Sequence, residues 1–285
     1  ISYTEATKSQ GAGLDVTETV VRGNIEYNSL GQMTGYIDTI RSSATPDLTT
    51  IKNVGGITYN LFGQMSSYTE VTREEAVGLD ITTTTIRSDI TYNGFGQMNS
   101  YHDEITDYTS SLTIKDTTNI VYDGGGRIAG YKEVITKGPI VTTTQRSNMK
   151  YNNLNQLTSY EDLIKTSDTS LTKEVSFYGA TYNTVGQMSG YNEEVRTYGV
   201  DAGGATYDVT VTTERTSITY NTIGLMTAYH DIIRNSSTPD YYEDKLVSDL
   251  TYDIHKEVSS FHDVTERRSS SNDEVLLIID TLRTS

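Results

Sequence analysis

YNSLGQMTGYID occupies residues 27–38, and near copies follow it: YNLFGQMSSYTE at 59–70, YNGFGQMNSYHD at 92–103 and YDGGGRIAGYKE at 122–133. Self-similarity at a fixed period outranks other sequence signals, because it marks an array in which each unit is completed by its neighbours. The leading tyrosines (Tyr27, Tyr59, Tyr92, Tyr122, Tyr151, Tyr182, Tyr220 and Tyr252) stand about 32 residues apart, a period within the repeat range. Nine residues after each comes a second aromatic, from Tyr36 to Phe261, and two residues beyond that a carboxylate. The seven-residue turn motifs fall at 27–33, 59–65, 92–98, 122–128, 151–157, 182–188, 220–226 and 252–258.

The Asn-x-x-Gly centre reads as a hairpin turn. Asn suits the first position of a type I turn, and Gly suits the left-handed position that follows. The turn residues so assigned are Asn28 with Gly31, Asn60 with Gly63, Asn93 with Gly96, Asp123 with Gly126, Asn183 with Gly186, and Asn221 with Gly224. Alternating residues on both sides predict strands. Pairing Asn28 with Gln32 makes the numbers of all facing residues in this hairpin add to 60. Tyr27 then faces Met33, Ile25 faces Gly35 and Tyr36 faces Asn24. In the other copies the second aromatic likewise faces Gly56, Asp89, Asn119, Asn148, Gly179, Ser217 or Asp249. Small opposite large is what packing across a pleated sheet asks for.

The same register sets Arg22 opposite Asp38, Arg87 opposite Asp103, Arg146 opposite Asp162 and Arg215 opposite Asp231. These hairpins alternate with others in which Glu70, Glu133, Glu193 and Asp263 face Val54, Thr117, Phe177 and Val247. The true unit is therefore a double repeat of about 65 residues, twice the single period. If exposed, each ion pair is worth a few tenths of a kcal/mol. Its stronger use is to pin register, since a slipped strand breaks every pair at once. Two hairpin types suggest two environments, such as opposite walls of a curled or double-layered sheet. The variable far-end loops are placed at 42–47, 74–78, 197–204 and 235–240, with a polar loop at 269–273.

The expected fold is all-β: a tandem array of antiparallel hairpins forming a long twisted or curled sheet. It reads as one continuous array over residues 1–285, a window of a longer array or a subunit in one. A net charge of −16 argues against nucleic acid as a partner, and no apolar run is long enough to insert in a membrane as a helix. Without cysteine there is neither a disulfide framework nor a thiolate nucleophile. His102, His230 and His262 sit just after the second aromatic, where other copies carry Ile37, Thr69 or Lys132, so they read as surface strand residues rather than metal ligands. The acidic pairs Glu74-Glu75 and Glu193-Glu194 read as solvated strand charge, without the spacing of a glycosidase pair. Weak Ca²⁺ binding at acidic loops is the alternative. No cofactor is expected, and no catalytic residue is assigned.

The stretch Tyr122-Asp123-Gly124-Gly125-Gly126-Arg127-Ile128 resembles the Y-D-x-x-G-R-L signature of the YD repeats of the Rhs and teneurin families. Most copies here depart from it, with Asn for Asp, Gln-Met for Arg-Leu, and a longer period. The resemblance implies long hairpins wound into an extended sheet in a large secreted or surface-exposed product. Together these readings predict a structural protein, an extracellular fibre or cell-surface stalk whose partner is itself, joined head to tail. A surface adhesin or glycan-binding module using the variable loops is the alternative, and a Rhs-like encapsulating shell the third reading. An enzyme is not expected.

Overall fold

The structure is a computed structural model that describes residues 2–11, 14–201, 203–253 and 257–284. Among the described residues there are eighteen strands and no helix. They belong to two compact units. One comprises Ile1–Lys8 with Thr17–Gln145, the other Ser9–Val16 with Arg146–Ser285.

In the first unit the strands run in chain order, each antiparallel to the next: β2 (Leu14–Tyr27, of which Leu14–Val16 belong to the other unit), β3 (Met33–Ser42), β4 (Thr45–Tyr59), β5 (Met65–Ala76), β6 (Leu79–Tyr92), β7 (Met98–Thr106), β8 (Leu112–Tyr122) and β9 (Ile128–Lys137). The second unit repeats the pattern with β11 (Leu157–Thr166), β12 (Thr172–Tyr182), β13 (Met188–Val200), β14 (Thr206–Tyr220), β15 (Met226–Asn235), β16 (Tyr241–Tyr252), β17 (Val258–Ser269) and β18 (Val275–Arg283). β1 (Tyr3–Gly11) and β10 (Ile140–Tyr151) run across the division of the chain. The expected antiparallel hairpin array is therefore the fold.

Asn28 builds its turn as expected. Its N–H donates to the Gln32 carbonyl, the Gly31 N–H donates to the Asn28 carbonyl, and Asn28 Oδ1 accepts from the N–H groups of Leu30 and Gln32 at 2.9 and 3.0 Å. Gly31 has φ 77°, the conformation that favours glycine. The turn at 151–157, without glycine, has the same bonds, with Asn155 at φ 61° in the glycine's place. The second and sixth residues of the motif bond each other in two ways. Asn28 Nδ2 donates to Gln32 Oε1 at 2.9 Å, whereas Asp123 takes Arg127 Nε at 2.8 Å. Asn with Gln and Asp with Arg are two ways of closing one turn.

The register holds at both ends of a hairpin and fails in the middle. Arg22↔Asp38, Gly23↔Ile37 and Tyr27↔Met33 pair as expected, but Gly35 faces Glu26 instead of Ile25. Likewise Thr58 faces Ser67, Thr91 faces Ser100, Val121 faces Gly130 and Thr181 faces Gly190. An extra residue on the first strand is offset by an extra residue on the second, so two bulges cancel. The residues expected to be small opposite the second aromatic are the bulge residues. Asn24, Gly56, Asp89, Asn119, Asn148, Gly179, Ser217 and Asp249 all have φ between 48° and 68°. They are Asn, Gly, Asp or Ser because the backbone is left-handed there, not because a ring needs room. The bulge swings the next residue inward, and Ile57, Ile90, Ile120 and Ile218 become core. Gly35 is small for another reason: a Cβ on it would come 3.1 Å from the Val54 carbonyl oxygen of the neighbouring strand.

Three of the far-end loops are tighter than expected, while those placed at 235–240 and 269–273 fall between strands as expected. Ser42 pairs with Thr45 and Ala76 with Leu79, which leaves two residues in each connection, and Thr197 to Val200 belong to β13. The core is thin, since no described side chain is less than 2 % exposed. Direct cross-strand pairing also overturns the expectation of opposite walls within a unit. Asp38↔Lys52 and Val54↔Glu70 place the charged residues of both hairpin types on one face of one layer.

Candidate functional site: the charged and aromatic face

Each assigned arginine forms a two-pronged ion pair with its aspartate. In the first, Arg22 Nε and Nη2 donate to Asp38 at 2.7 and 2.6 Å. Arg87–Asp103, Arg146–Asp162 and Arg215–Asp231 repeat this at 2.6 to 2.8 Å. These pairs are not exposed, because Asp103 and Asp231 retain only 3 % of their surface. They therefore fall outside the few-tenths range of surface pairs. Removing one partner would leave a buried charge uncompensated. The guanidinium also lies over the second tyrosine of its own hairpin, at 3.7 Å for Arg22 on Tyr36 and 3.8 Å for Arg87 on Tyr101. On its other side is the tyrosine of the preceding strand, Tyr3 at 5.8 Å and Tyr68 at 5.7 Å respectively. Arginine stacks this way because its planar ion is weakly hydrated. The Asp38 hydrogen bond raises the Arg22 pKa, and burial raises those of Tyr36, Tyr68, Tyr160 and Tyr191.

The alternate hairpins have cations that the sequence reading missed. Lys52 approaches Glu70 at 3.6 Å, Lys115 meets Glu133, and Lys245 meets Asp263 at 2.5 Å. These contacts are diagonal, two residues away from the direct partner. Each lysine also faces the aspartate of the previous hairpin, as in Asp103↔Lys115. Charge therefore alternates across four strands: Arg, Asp, Lys, Glu. The third double repeat breaks the row. Val175 faces Asp162 where the others have lysine, and Phe177 stacks between Tyr160 and Tyr191 at 5.0 and 5.1 Å.

The leading tyrosines connect hairpins. The hydroxyls of Tyr59, Tyr92 and Tyr122 donate to the carbonyls of Met33, Met65 and Met98, each in the hairpin before. Tyr182, Tyr220 and Tyr252 do the same to Leu157, Met188 and Met226. The turns stack as well, with Gln32 Nε2 3.5 Å from the point where a Cβ on Gly63 would be.

On the opposite face His102, His230 and His262 each meet an aspartate. His102 bonds Asp116 at 2.6 Å, His230 bonds Asp244 at 2.6 Å and His262 bonds Asp280 at 2.8 Å. The Asp116 bond raises the His102 pKa. Among the described residues, no three His, Asp or Glu side chains gather in a way that could hold a metal ion. No helix among them is long and apolar enough to cross a membrane. The same face has a shallow groove of about 420 Å³, lined in part by Lys150, Ser159, Ser176, the half-exposed Tyr178 and the hydrogen-bonded pair Asn148–Glu161. A scan of protein-family models finds no match to this chain, and neither does a comparison with curated proteins.

Proposed function

We propose that this chain is a structural protein, an extracellular fibre or cell-surface stalk, whose copies join head to tail through their sheet edges. The observation that supports this reading is the uniform coupling of hairpins. Six leading tyrosines fasten their hairpins to the one before, and the Arg22, Arg87 and Arg215 ion pairs are each clamped by two tyrosine rings. Such an array distributes load over many equivalent interfaces, and its stability grows with neighbour contacts. An edge strand exposes backbone groups ready to pair with another strand, which gives the array a means of growth. Electron micrographs of native material test the proposal. Filaments or stalks whose repeat matches the sheet support it, and dispersed single particles refute it.

A second reading, a glycan-binding module, draws on the groove at Tyr178. An exposed ring beside Asn148 and Glu161 offers a stacking surface with hydrogen-bonding groups at its rim. The two-residue connections at 43–44 and 77–78 leave little room for binding, whereas those at 107–111, 167–171 and 236–240 have five residues each and remain available beside the sheet face. Loss of glycan-array binding in Tyr178→Ala, with the sheet intact, would favour it over the fibre.

A further inference from the structure

The hairpin turn needs its first and fourth residues, for the Oδ1 cap and the left-handed φ. It asks nothing of the third, whose side chain points away from every bond of the turn. The fourth turn has glycine there, Gly125, with the same backbone bonds. Yet the third residue is apolar in six turns: Leu30, Phe62, Phe95, Leu154, Val185 and Ile223. In the first unit this side chain is nearly fully solvated, at 82 % for Leu30, 88 % for Phe62 and 92 % for Phe95, and Leu61 beside Phe62 is equally open. A fold that tolerates glycine does not account for phenylalanine. Isolated exposed apolar residues are ordinary, but a row of them along one margin marks a contact surface.

Charge identifies the occupant. Charged residues make up 21 % of the chain, but the turn stretches YNSLGQM, YNLFGQM and YNGFGQM contain none. The two turns that do carry charge, YDGGGRI and YDIHKEV, are the two without an apolar third residue. In a chain of net charge −16, a neutral apolar margin is where another copy can approach without like-charge repulsion. The ridge is convex, which does not suit a small molecule, since such ligands need a cleft. Its spacing suits a copy of itself. Stacked turns two strands apart repeat about every 10 Å, so tips from a two-fold partner, offset by half that, fit between them.

We infer that the turn margin of the first unit, Leu30, Leu61, Phe62 and Phe95, is a lateral contact on which a second copy of this chain packs ridge to ridge. The inference rests on the structural reading only in taking another copy as the neighbour. It adds side-by-side pairing to end-to-end growth.

Sedimentation of the full chain over a concentration series, beside the double variant Phe62→Ser/Phe95→Ser, tests it. Circular dichroism confirms that the variant keeps its strands, and Phe95→Gly, which copies the fourth turn, is the second control. The expected result is reversible dimerisation weakened at least about tenfold in the double variant. Wild-type chain that stays monomeric throughout, or variants that associate like wild type, overturn the inference. Micrographs separate the two proposals. Threads that pair in wild type and run singly in the variant support both. Variant threads that still pair overturn the ridge but not the fibre. A ridge-dependent dimer that forms no threads overturns the fibre but not the ridge.

Discussion

Replacing Gly56 with alanine separates two explanations for the small residue opposite each second aromatic. Gly56 has φ +62°, and a Cβ built on it meets nothing within 4 Å. If the position were small to leave room for a ring, Gly56→Ala would be harmless. It would even stabilise by about 0.4–1 kcal/mol by restricting the unfolded chain. The left-handed backbone predicts the opposite sign, because an L-residue there costs about 1–2 kcal/mol. With the unfolded-state gain subtracted, the net loss is about 1 kcal/mol, or a few degrees in Tm. Asn119, at φ 54° and exposed, supplies the converse. Asn119→Gly removes strain but adds chain entropy and should stay within about 0.5 kcal/mol of wild type. Asn119→Ala should lose about 1 kcal/mol although alanine is smaller than asparagine. Urea unfolding followed by far-ultraviolet circular dichroism reads all three, provided the slope with denaturant is unchanged. A neutral or stabilised Gly56→Ala, or an Asn119→Ala as stable as Asn119→Gly, would refute the backbone explanation.

Four further outcomes are expected. Arg87→Met leaves Asp103 buried without its cation and should cost about 3–5 kcal/mol, whereas Arg87→Met with Asp103→Leu should come within about 1 kcal/mol of wild type in the same urea assay. Tyr92→Phe removes the hydroxyl bond to Met65 and should cost about 1 kcal/mol, with faster hydrogen exchange concentrated where the second and third hairpins meet. Burial raises the pKa of Tyr92, Tyr122, Tyr182, Tyr220 and Tyr252 in the folded chain, so the unfolded chain ionises first. Their stabilisation is complete below the unfolded value of 10.0 and is lost as pH rises through the folded values, which thermal melts across that range would show. Val175→Lys with Phe177→Val makes the third double repeat match the others but dismantles the Tyr160–Phe177–Tyr191 stack. It should destabilise by about 2 kcal/mol, and a gain in Tm would show the lysine row to be worth more than the rings.

The fold was legible because its signals are local and repeated. Asn28 and Gly31 specify a turn within five residues, and pairing propagates outward from it to Arg22 and Asp38. The middle of the hairpin was not legible because period-two reasoning assumes an unbroken ladder. The bulge at Asn24 inserts a residue on one strand, and its partner on the other restores the count, so the ends agree whether or not the bulges exist. The clue was present but ambiguous: Asn, Gly, Asp and Ser are both small and the residues that best tolerate left-handed backbone. Lys52 escaped notice because its contact with Glu70 is diagonal, and a direct-pair rule sees only Val54 there. Leu30, Phe62 and Phe95 carry no signal in the sequence pattern that assigns the turn. Their exposure became informative only once the turn's bonds showed that the position carries no structural demand.

The six leading-tyrosine hydroxyls that bond a methionine or leucine carbonyl all point back along the chain, from a hairpin to the one synthesised before it. A ribosome adds about 5–20 residues per second, so a repeat of this size takes seconds to emerge. A hairpin closes in about 1–10 μs. Each new hairpin can thus settle on a finished template before the next one leaves the exit tunnel, and none of these six bonds has to wait for sequence still to come. The direction of one hydroxyl gives the array an order of assembly, from the amino terminus onward. Stalled nascent chains of increasing length are expected to gain protease resistance one hairpin at a time, rather than all at once when synthesis ends.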